Sequence, residues 1–388
     1  MDPKVFQSSA PGRLAEIMIG GRKEWAFIPN DLPPEWQMPE ALWPLLLEAR
    51  VLLGRLDGIG QTLPDHELLL QPLKSREAIE SSKIEGTFVT AEKLLLFELD
   101  PTESDSEREE VADWKEVWNH SRALAHGCEA LKELPLCGRL LREMHLLLMD
   151  GVRGRDKKPG AYRHLQNQIG AKARYVPPPP DEVERLMANL EQYIHSSDTV
   201  VDPLVRCFIA HYQFEAIHPF QDGNGRIGRI LLSLMIYQTL SHRLPWLYLS
   251  AYFERYREEY IANMFRVSTQ GDWTGWLEFC LRGTVAQAED AIWRCEQFRA
   301  LLDEYEQMPI DHNARTHQLI RSLFSRPVVQ ISHIAKQFGV QYNTAQKDVE
   351  KLIAAGILEL MEIDSPSHKR PKTYYAPRIM QIAYEERP

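Results

Sequence analysis

Residues 218–229 read HPFQDGNGRIGR, and this stretch constrains the fold more than any other. Leu204, Val205, Phe208, Ile209 and Tyr212 precede it at the spacing of an apolar helix face, and Ile227, Ile230, Leu231 and Leu234 follow it in the same way. Two helices must therefore meet at a short loop that feeds the N-terminus of the second. The first N–H groups of a helix lack internal partners and the dipole there is positive, so the place suits an anion. Gly223 and Gly225 lack a Cβ, which lets the backbone take positive φ and approach a phosphate closely. Arg226 and Arg229 share one helical face and offer planar donor forks to phosphate oxygens. Asp222 is a hard oxygen ligand of the kind a nucleotide-bound Mg²⁺ takes. His218, with an ordinary pKa of about 6.5, can accept a proton from an attacking hydroxyl. The parts together describe phosphoryl or nucleotidyl transfer to a hydroxyl. The plain alternative, a Gly-Asn-Gly turn with solvated arginines, explains any one residue but not all of them at this spacing.

The same string resembles the signature of Fic proteins, HPFx(D/E)GNGRxxR, and meets it at every position from His218 to Arg229. Enzymes of that family typically move AMP from ATP to a Ser, Thr or Tyr hydroxyl of a protein. The resemblance implies that His218 is the general base and that Asp222 holds Mg²⁺. It implies an anion hole at Gly223, Asn224 and Gly225, with Asn224 on the α-phosphate, Arg226 on the β-phosphate and Arg229 on the γ-phosphate. Death-on-curing toxins of the same fold carry Lys where this chain has Gly225. A Lys there would exclude the β-phosphate and reverse the nucleotide, so Gly225 favours AMP transfer over phosphate transfer. Transfer from UTP or CDP-choline, and removal of AMP with Glu85 orienting a water, stay open in the wider family.

Residues 75–86, SREAIESSKIEG, read as a helix that Gly86 stops, and alone they would pass for an ordinary surface helix. Beside the signature they match the family's inhibitory motif: Ser or Thr, three residues, Glu, then Gly or Asn. Ser81 and Glu85 occupy its two defining positions. A Glu85 carboxylate paired with Arg229 would take the donors a γ-phosphate needs and repel its charge. Self-inhibition, with auto-AMPylation once it is relieved, is the expectation.

At 388 residues the chain has room for two or three domains. It holds 55 acidic against 45 basic residues, which argues against a nucleic-acid binder over its whole length. Cys128, Cys137, Cys207, Cys280 and Cys295 are odd in number and share no metal-ligand spacing, so they read as reduced thiols. With no signal peptide and no apolar run of membrane-spanning length, a soluble cytoplasmic protein is expected.

Before the signature, Pro29, Pro33 and Pro34 keep AFIPNDLPP extended, and residues 42–56 carry an apolar helical stripe. AFIPNDLPP also looks like the module that precedes the Fic core in bacterial members. Residues 100–113 read as a solvated acidic linker entering a helix. That helix and another over 140–148 offer no chemistry. Gly160, Ala161, Tyr162 and Arg163 open a segment, 164–176, that reads as two short strands around Gly170. Asp181 and Glu184 then resemble a capping box. The family resemblance makes this segment a flap that holds the target by strand addition. Tyr252 and Tyr256 lie four apart on an expected helix, and Tyr256 is assigned to the adenine. Trp273 and Trp276 read as core.

The last eighty residues change texture. Helices over 316–324, 331–338 and 343–355, then a hairpin of 357–363 with 373–379, follow the order of a winged helix-turn-helix. His368, Lys369, Arg370 and Lys372 at the wing tip suit DNA phosphates, while Asp348 and Glu350 count against DNA. The expectation is thus a mainly α chain: a helical region over 1–104, a Fic-type core with a hairpin flap over 105–308, and a winged helix over 309–388. The leading function is a protein adenylyltransferase using ATP and Mg²⁺, with the homodimer that Fic proteins often form. The rival from another class is a DNA-binding regulator whose Fic core senses nucleotide.

Overall fold

The computed structural model describes residues 1–62, 66–99, 109–152, 157–170, 173–196, 201–240, 247–310, 313–362 and 371–387. A hairpin of β1 (Gly12–Ile19) and β2 (Arg22–Pro29) opens the chain, paired from Gly12 opposite Pro29 to Ile19 opposite Arg22. Gly20 and Gly21 form its two-residue turn with φ of 55° and 81°, values that glycine adopts at little cost and that match the twist of paired strands. The prolines do keep the end of β2 extended. The sequence reading, however, treated this whole region as irregular and named no partner strand for it.

Eleven helices follow: α1 (Trp43–Thr62), α2 (His66–Ile84), α3 (Ala91–Leu99), α4 (Glu109–Ala130), α5 (Gly138–Leu148), α6 (Pro180–Ile194), α7 (Pro203–Ile217), α8 (Asn224–Leu240), α9 (Ser250–Arg255), α10 (Arg257–Gln270) and α11 (Trp273–Gln307). The antiparallel pair α7 and α8 forms the centre. Nearly every residue of α7 from Leu204 to Ile217 is buried, the condition of a helix that is apolar on all sides. Helices α4, α5 and α6 pack around this pair, while α1 lies along α11. Trp273 and Trp276 are core residues, 4% and 0% exposed. Helix α2 is enclosed by α4, α9 and elements from the C-terminal end of the chain.

Those C-terminal elements are α12 (Ala314–Ser325), β3 (Val328–Gln330), α13 (Ile331–Phe338), α14 (Tyr342–Ala354), β4 (Glu359–Leu360), β5 (Thr373–Tyr375) and α15 (Pro377–Tyr384). The strands form one antiparallel sheet in the order β3-β5-β4. The three expected helices are present, and β3 was not foreseen. The second arm of the expected hairpin stops at Tyr375, because Pro377 begins α15: proline suits the first turn of a helix and cannot continue a ladder. The wing-tip residues His368, Lys369 and Arg370 lie outside the described residues, as does most of the acidic run.

Three further expectations are corrected. Among the described residues of 164–176, a single antiparallel bridge from Ile169 to Tyr175 stands in place of the two expected strands. The side chain of Gln166 donates to the Pro177 carbonyl at 2.8 Å, and the prolines from 177 onward have no N–H with which to extend a ladder. Asp181 and Glu184 make no capping box, because Pro179 sits at the N-cap of α6 and Pro180 at its first position. Tyr252 and Tyr256 do not share one helix, since α9 ends at Arg255 and Tyr256 joins it to α10. No helix among the described residues is long and apolar enough to cross a membrane.

Candidate active site

Helix α7 ends at His218, whose φ of 52° is left-handed and turns the chain out of the helix. A non-glycine residue in that conformation needs outside support. Arg163 supplies it. Its guanidinium donates to the carbonyls of His218 (2.8 Å), Ile217 (3.3 Å) and Leu165 (3.3 Å) and also to that of Pro178. Its backbone N–H donates to the Pro219 carbonyl at 2.8 Å. Burial of the guanidinium pulls its pKa down to about 10. The sequence placed Arg163 at the start of the flap; it is a brace for the signature loop.

The loop is closed from inside by Asn224. Its Oδ1 accepts from the Phe220 N–H and its Nδ2 donates to the Phe220 carbonyl, both at 2.7 Å. Phe220 itself is fully buried and stacks on the His145 ring with centroids 3.9 Å apart. His145 Nδ1 accepts from the Gly160 N–H at 2.9 Å, so its proton sits on Nε2, which donates to the Asp222 carbonyl at 3.1 Å. Burial holds His145 neutral, with a pKa down to about 4. The reading that saw no chemistry in residues 140–148 missed this histidine. A lone His among leucines at helical spacing was the available signal.

His218, Asp222, Arg226 and Arg229 face one region from this frame. His218 is half-buried, and its Nδ1 is sealed with no hydrogen-bond partner among the described residues. Desolvation first, then the Arg163 charge, pull the imidazole down to about 4, so it is neutral at physiological pH. Asp222 accepts from the Gly223 N–H at 2.8 Å and from Lys157 at 2.9 Å. Burial would raise this carboxyl, but Lys157 and the Gly223 N–H outweigh it and hold the group below its ordinary value.

Arg229 is buried and held by α2. Its Nε donates to Ser81 Oγ at 2.8 Å, and its Nη2 donates to the Ser81 carbonyl at 2.9 Å and to Glu85 Oε1 at 2.8 Å. Burial alone would raise the Glu85 carboxyl, yet Arg229 in first place, then Arg226 and His218, bring it below the ordinary value. The carboxylate lies over Gly225, where a Cβ would stand 2.2 Å from Glu85 Oε1 and 2.9 Å from Arg229 Nη1. Only glycine leaves room for this arrangement. At the end of α2, Gly86 takes φ of 90°, and Arg257 Nε donates to the Ile84 carbonyl at 2.8 Å.

Arg226 is also buried and paired, by a residue that sequence reasoning passed over. Its Nη1 donates to Glu116 Oε2 on α4 at 3.1 Å, and the same oxygen accepts from Thr87 Oγ1 at 3.0 Å. Nothing in the sequence marks Glu116, which stands in an acidic helix beside Trp114 and Val117. Tyr256 is half-exposed, and its ring lies 4.7 Å from that of Tyr252. No described ring contact brings it to the loop, although its neighbour Arg257 reaches α2. The structure thus brings Ser81, Glu85, Gly223, Asn224, Gly225, Arg226, Arg229, Asp222 and His218 together and leaves Tyr256 at the edge. Among the described residues, no cluster of three or more His, Cys, Asp or Glu side chains forms a metal cage.

Comparison with known proteins agrees with this geometry. Residues 43–129 match the Fic/DOC family N-terminal region and residues 135–236 match the Fic/DOC family. Protein adenylyltransferase fic-1 of Caenorhabditis briggsae is 28% identical over 136 residues, which are 32% of this chain and 26% of that protein. A probable protein adenylyltransferase of Aquifex aeolicus is 40% identical over 78 residues, 20% of this chain and 24% of that one. The chain therefore spans about a quarter of the length of these curated relatives. Among solved structures, a Fic family protein from Desulfovibrio desulfuricans has a TM-score of 0.56 at 23% identity, covering 89% of this chain and 98% of its own. Fic-1 from C. elegans has a TM-score of 0.51 at 20% identity, covering 65% and 74%. Fold, signature loop and family matches converge: the chain belongs to the Fic/DOC family.

Proposed function

We propose that this chain is a protein adenylyltransferase that moves AMP from ATP to a Ser, Thr or Tyr hydroxyl of a protein, and that the arrangement described is its self-inhibited form. One observation carries the reading. The Glu85 carboxylate sits 2.8 Å from Arg229 Nη2, on the face where Arg226 and His218 also converge. A carboxylate held there occupies the position of a phosphate.

With Glu85 withdrawn, Arg229 and Arg226 offer donors to the γ- and β-phosphates. Arg226 Nε, buried without a partner among the described residues, is an unused donor of the kind an anion would satisfy. Asn224 is committed to closing the loop, so its part is to fix the backbone of the anion hole around Gly223 and Gly225. His218 accepts the proton of the target hydroxyl while that oxygen bonds to the α-phosphorus. The bond to the bridging oxygen breaks and pyrophosphate leaves. A neutral imidazole needs no prior deprotonation for this step. Asp222 suits Mg²⁺: it is a single hard carboxylate, partly exposed, and its cationic partner Lys157 can be replaced by another cation. Mg²⁺ bound there with ATP would neutralise phosphate charge. The segment around the Ile169–Tyr175 bridge would hold the target through main-chain bonds that read little of its sequence.

The test uses ATP labelled in its α-phosphate. Glu85→Gly should incorporate label into itself or another protein, and His218→Ala in that background should abolish it. Incorporation from ATP labelled in its γ-phosphate, with none from the α-label, would sink the reading.

A second reading concerns the C-terminal domain. Helices α12, α13 and α14 and the three-stranded sheet have the order of a winged helix, which supports a contact with DNA phosphates. Asp348, one of two acidic residues counted against DNA, is turned inward and bonded to Arg315. The outer face of α14 then offers Gln341, Tyr342, Asn343 and Lys347 alongside Glu350. A gel-shift with duplex DNA across a salt series tests it. Binding that Lys347→Glu leaves unchanged would refute it.

A further inference from the structure

The geometry points to Glu116 as a positioning residue for Arg226, held in place by Thr87 of the segment that follows the inhibitory helix; this rests on the reading of the site as an ATP site. A buried carboxylate beside an anion site is electrostatically adverse unless it orients a cation. Glu116 Oε2 does orient one, accepting from Arg226 Nη1 at 3.1 Å and from Thr87 Oγ1 at 3.0 Å. The three residues are only 5%, 6% and 5% exposed, so water cannot replace either bond. An arginine has many rotamers, and one whose Nη1 is pinned from inside presents the rest of its fork in a fixed direction.

Thr87 is two residues past Glu85. Its N–H donates to the Ser82 carbonyl at 3.0 Å, which fastens it to the last turn of α2. The stretch from Ser81 to Thr87 therefore touches Arg229 and the carboxylate partner of Arg226. Glu85 blocks Arg229 directly, and Thr87 steadies Arg226 through Glu116. The next turn of α4 adds no charge there. His120, fully buried, is kept neutral by desolvation and by both arginines.

The experiment titrates the Glu85→Gly chain with fluorescent methylanthraniloyl ATP, ADP and AMP. Because Arg226 is assigned to the β-phosphate, Glu116→Gln should weaken ATP and ADP about tenfold and AMP less than about twofold. Glu116→Asp should recover part of the loss. Thr87→Val should show the same selectivity at about threefold. In an Arg226→Ala background, Glu116→Gln should change ATP affinity by less than about twofold, since the residue it acts through is gone. An equal loss for all three nucleotides with a lowered melting temperature would mark Glu116 as merely structural and overturn the proposal. Unchanged ATP affinity in Glu116→Gln, or additive losses with Arg226→Ala, would overturn it as well. If Glu85→Gly binds none of the three nucleotides, the ATP-site reading falls and the proposal falls with it. If it binds them without discrimination by Glu116→Gln, the proposal alone fails.

Discussion

Replacing Glu85 by Gly should raise ATP affinity and AMP incorporation, at a cost in fold stability no larger than the pair with Arg229 contributes. A hydrogen bond between charged partners contributes about 1.5–3 kcal/mol net. The Glu85 side chain is 41% exposed, so solvent screens the pair and about 1–2 kcal/mol is the fitting range. That energy must be given up whenever a γ-phosphate takes Nη2 of Arg229, which corresponds to about a 5–30-fold weakening of ATP. Arg229 does not collapse when Glu85 is removed, because Ser81 still holds it at Nε (2.8 Å) and Nη2 (2.9 Å). Initial rates of α-phosphate incorporation and equilibrium ATP titrations measure the effect, with thermal melts run alongside. Glu85→Gln separates charge from occupancy, since it removes the repulsion and keeps the shape, and should fall between wild type and Glu85→Gly. ATP affinity that is equal in wild type and Glu85→Gly, with both folded, would refute the reasoning. The Glu85–Arg229 pair is also pH-resistant. The folded pKa of Glu85 is depressed, so its stabilisation is complete above the unfolded value near 4.5 and is lost only as pH falls through the lower folded one.

Three other outcomes follow from the site and its supports. In the Glu85→Gly background, the acid limb of kcat/KM should lie no higher than the His218 pKa of about 4, since Glu85, which raises it, is gone; a limb at the ordinary histidine value of about 6.5 would show that desolvation does not govern this imidazole. Arg163→Met should cost about 3–5 kcal/mol in urea unfolding, because the carbonyls of Leu165, Pro178, Ile217 and His218 lose a charged donor, which outweighs the relief of its desolvation; a loss below about 1 kcal/mol would remove Arg163 as the brace. Glu77, which accepts from both the N–H and the hydroxyl of Ser250, is raised by burial to about 7. The folded state therefore holds more protons than the unfolded chain between about pH 4.5 and 7, and stability falls as pH rises through that window. Melting temperatures of Glu77→Gln relative to wild type should shift in the variant's favour across it, and a constant difference would contradict the shift.

Elements whose signals are local were legible along the chain. Periodicity located α7 and α8, and the residue types between them named a base, a hard ligand and two arginines at a helix N-terminus. Gly86 and the serine–glutamate spacing of α2 were equally legible, because helix stops and motif spacing lie within a few residues of one another. Which groups share space was settled by packing alone. That Arg163 braces His218, that His145 carries Phe220 and Asp222, and that Glu116 pairs with Arg226 from 110 positions away depends on helices packed from distant parts of the chain. A buried polar residue reads like an exposed one in sequence, because its hydrogen-bond partners are chosen by packing and not by neighbours. The flap shows the same limit from the other side. Its residues alternate as strands would, yet prolines without N–H groups and side chains that claim the carbonyls leave one bridge. Spacing along the chain located the signature loop; the packing of α2 and α4 against α8 decided that each of its arginines has a carboxylate partner.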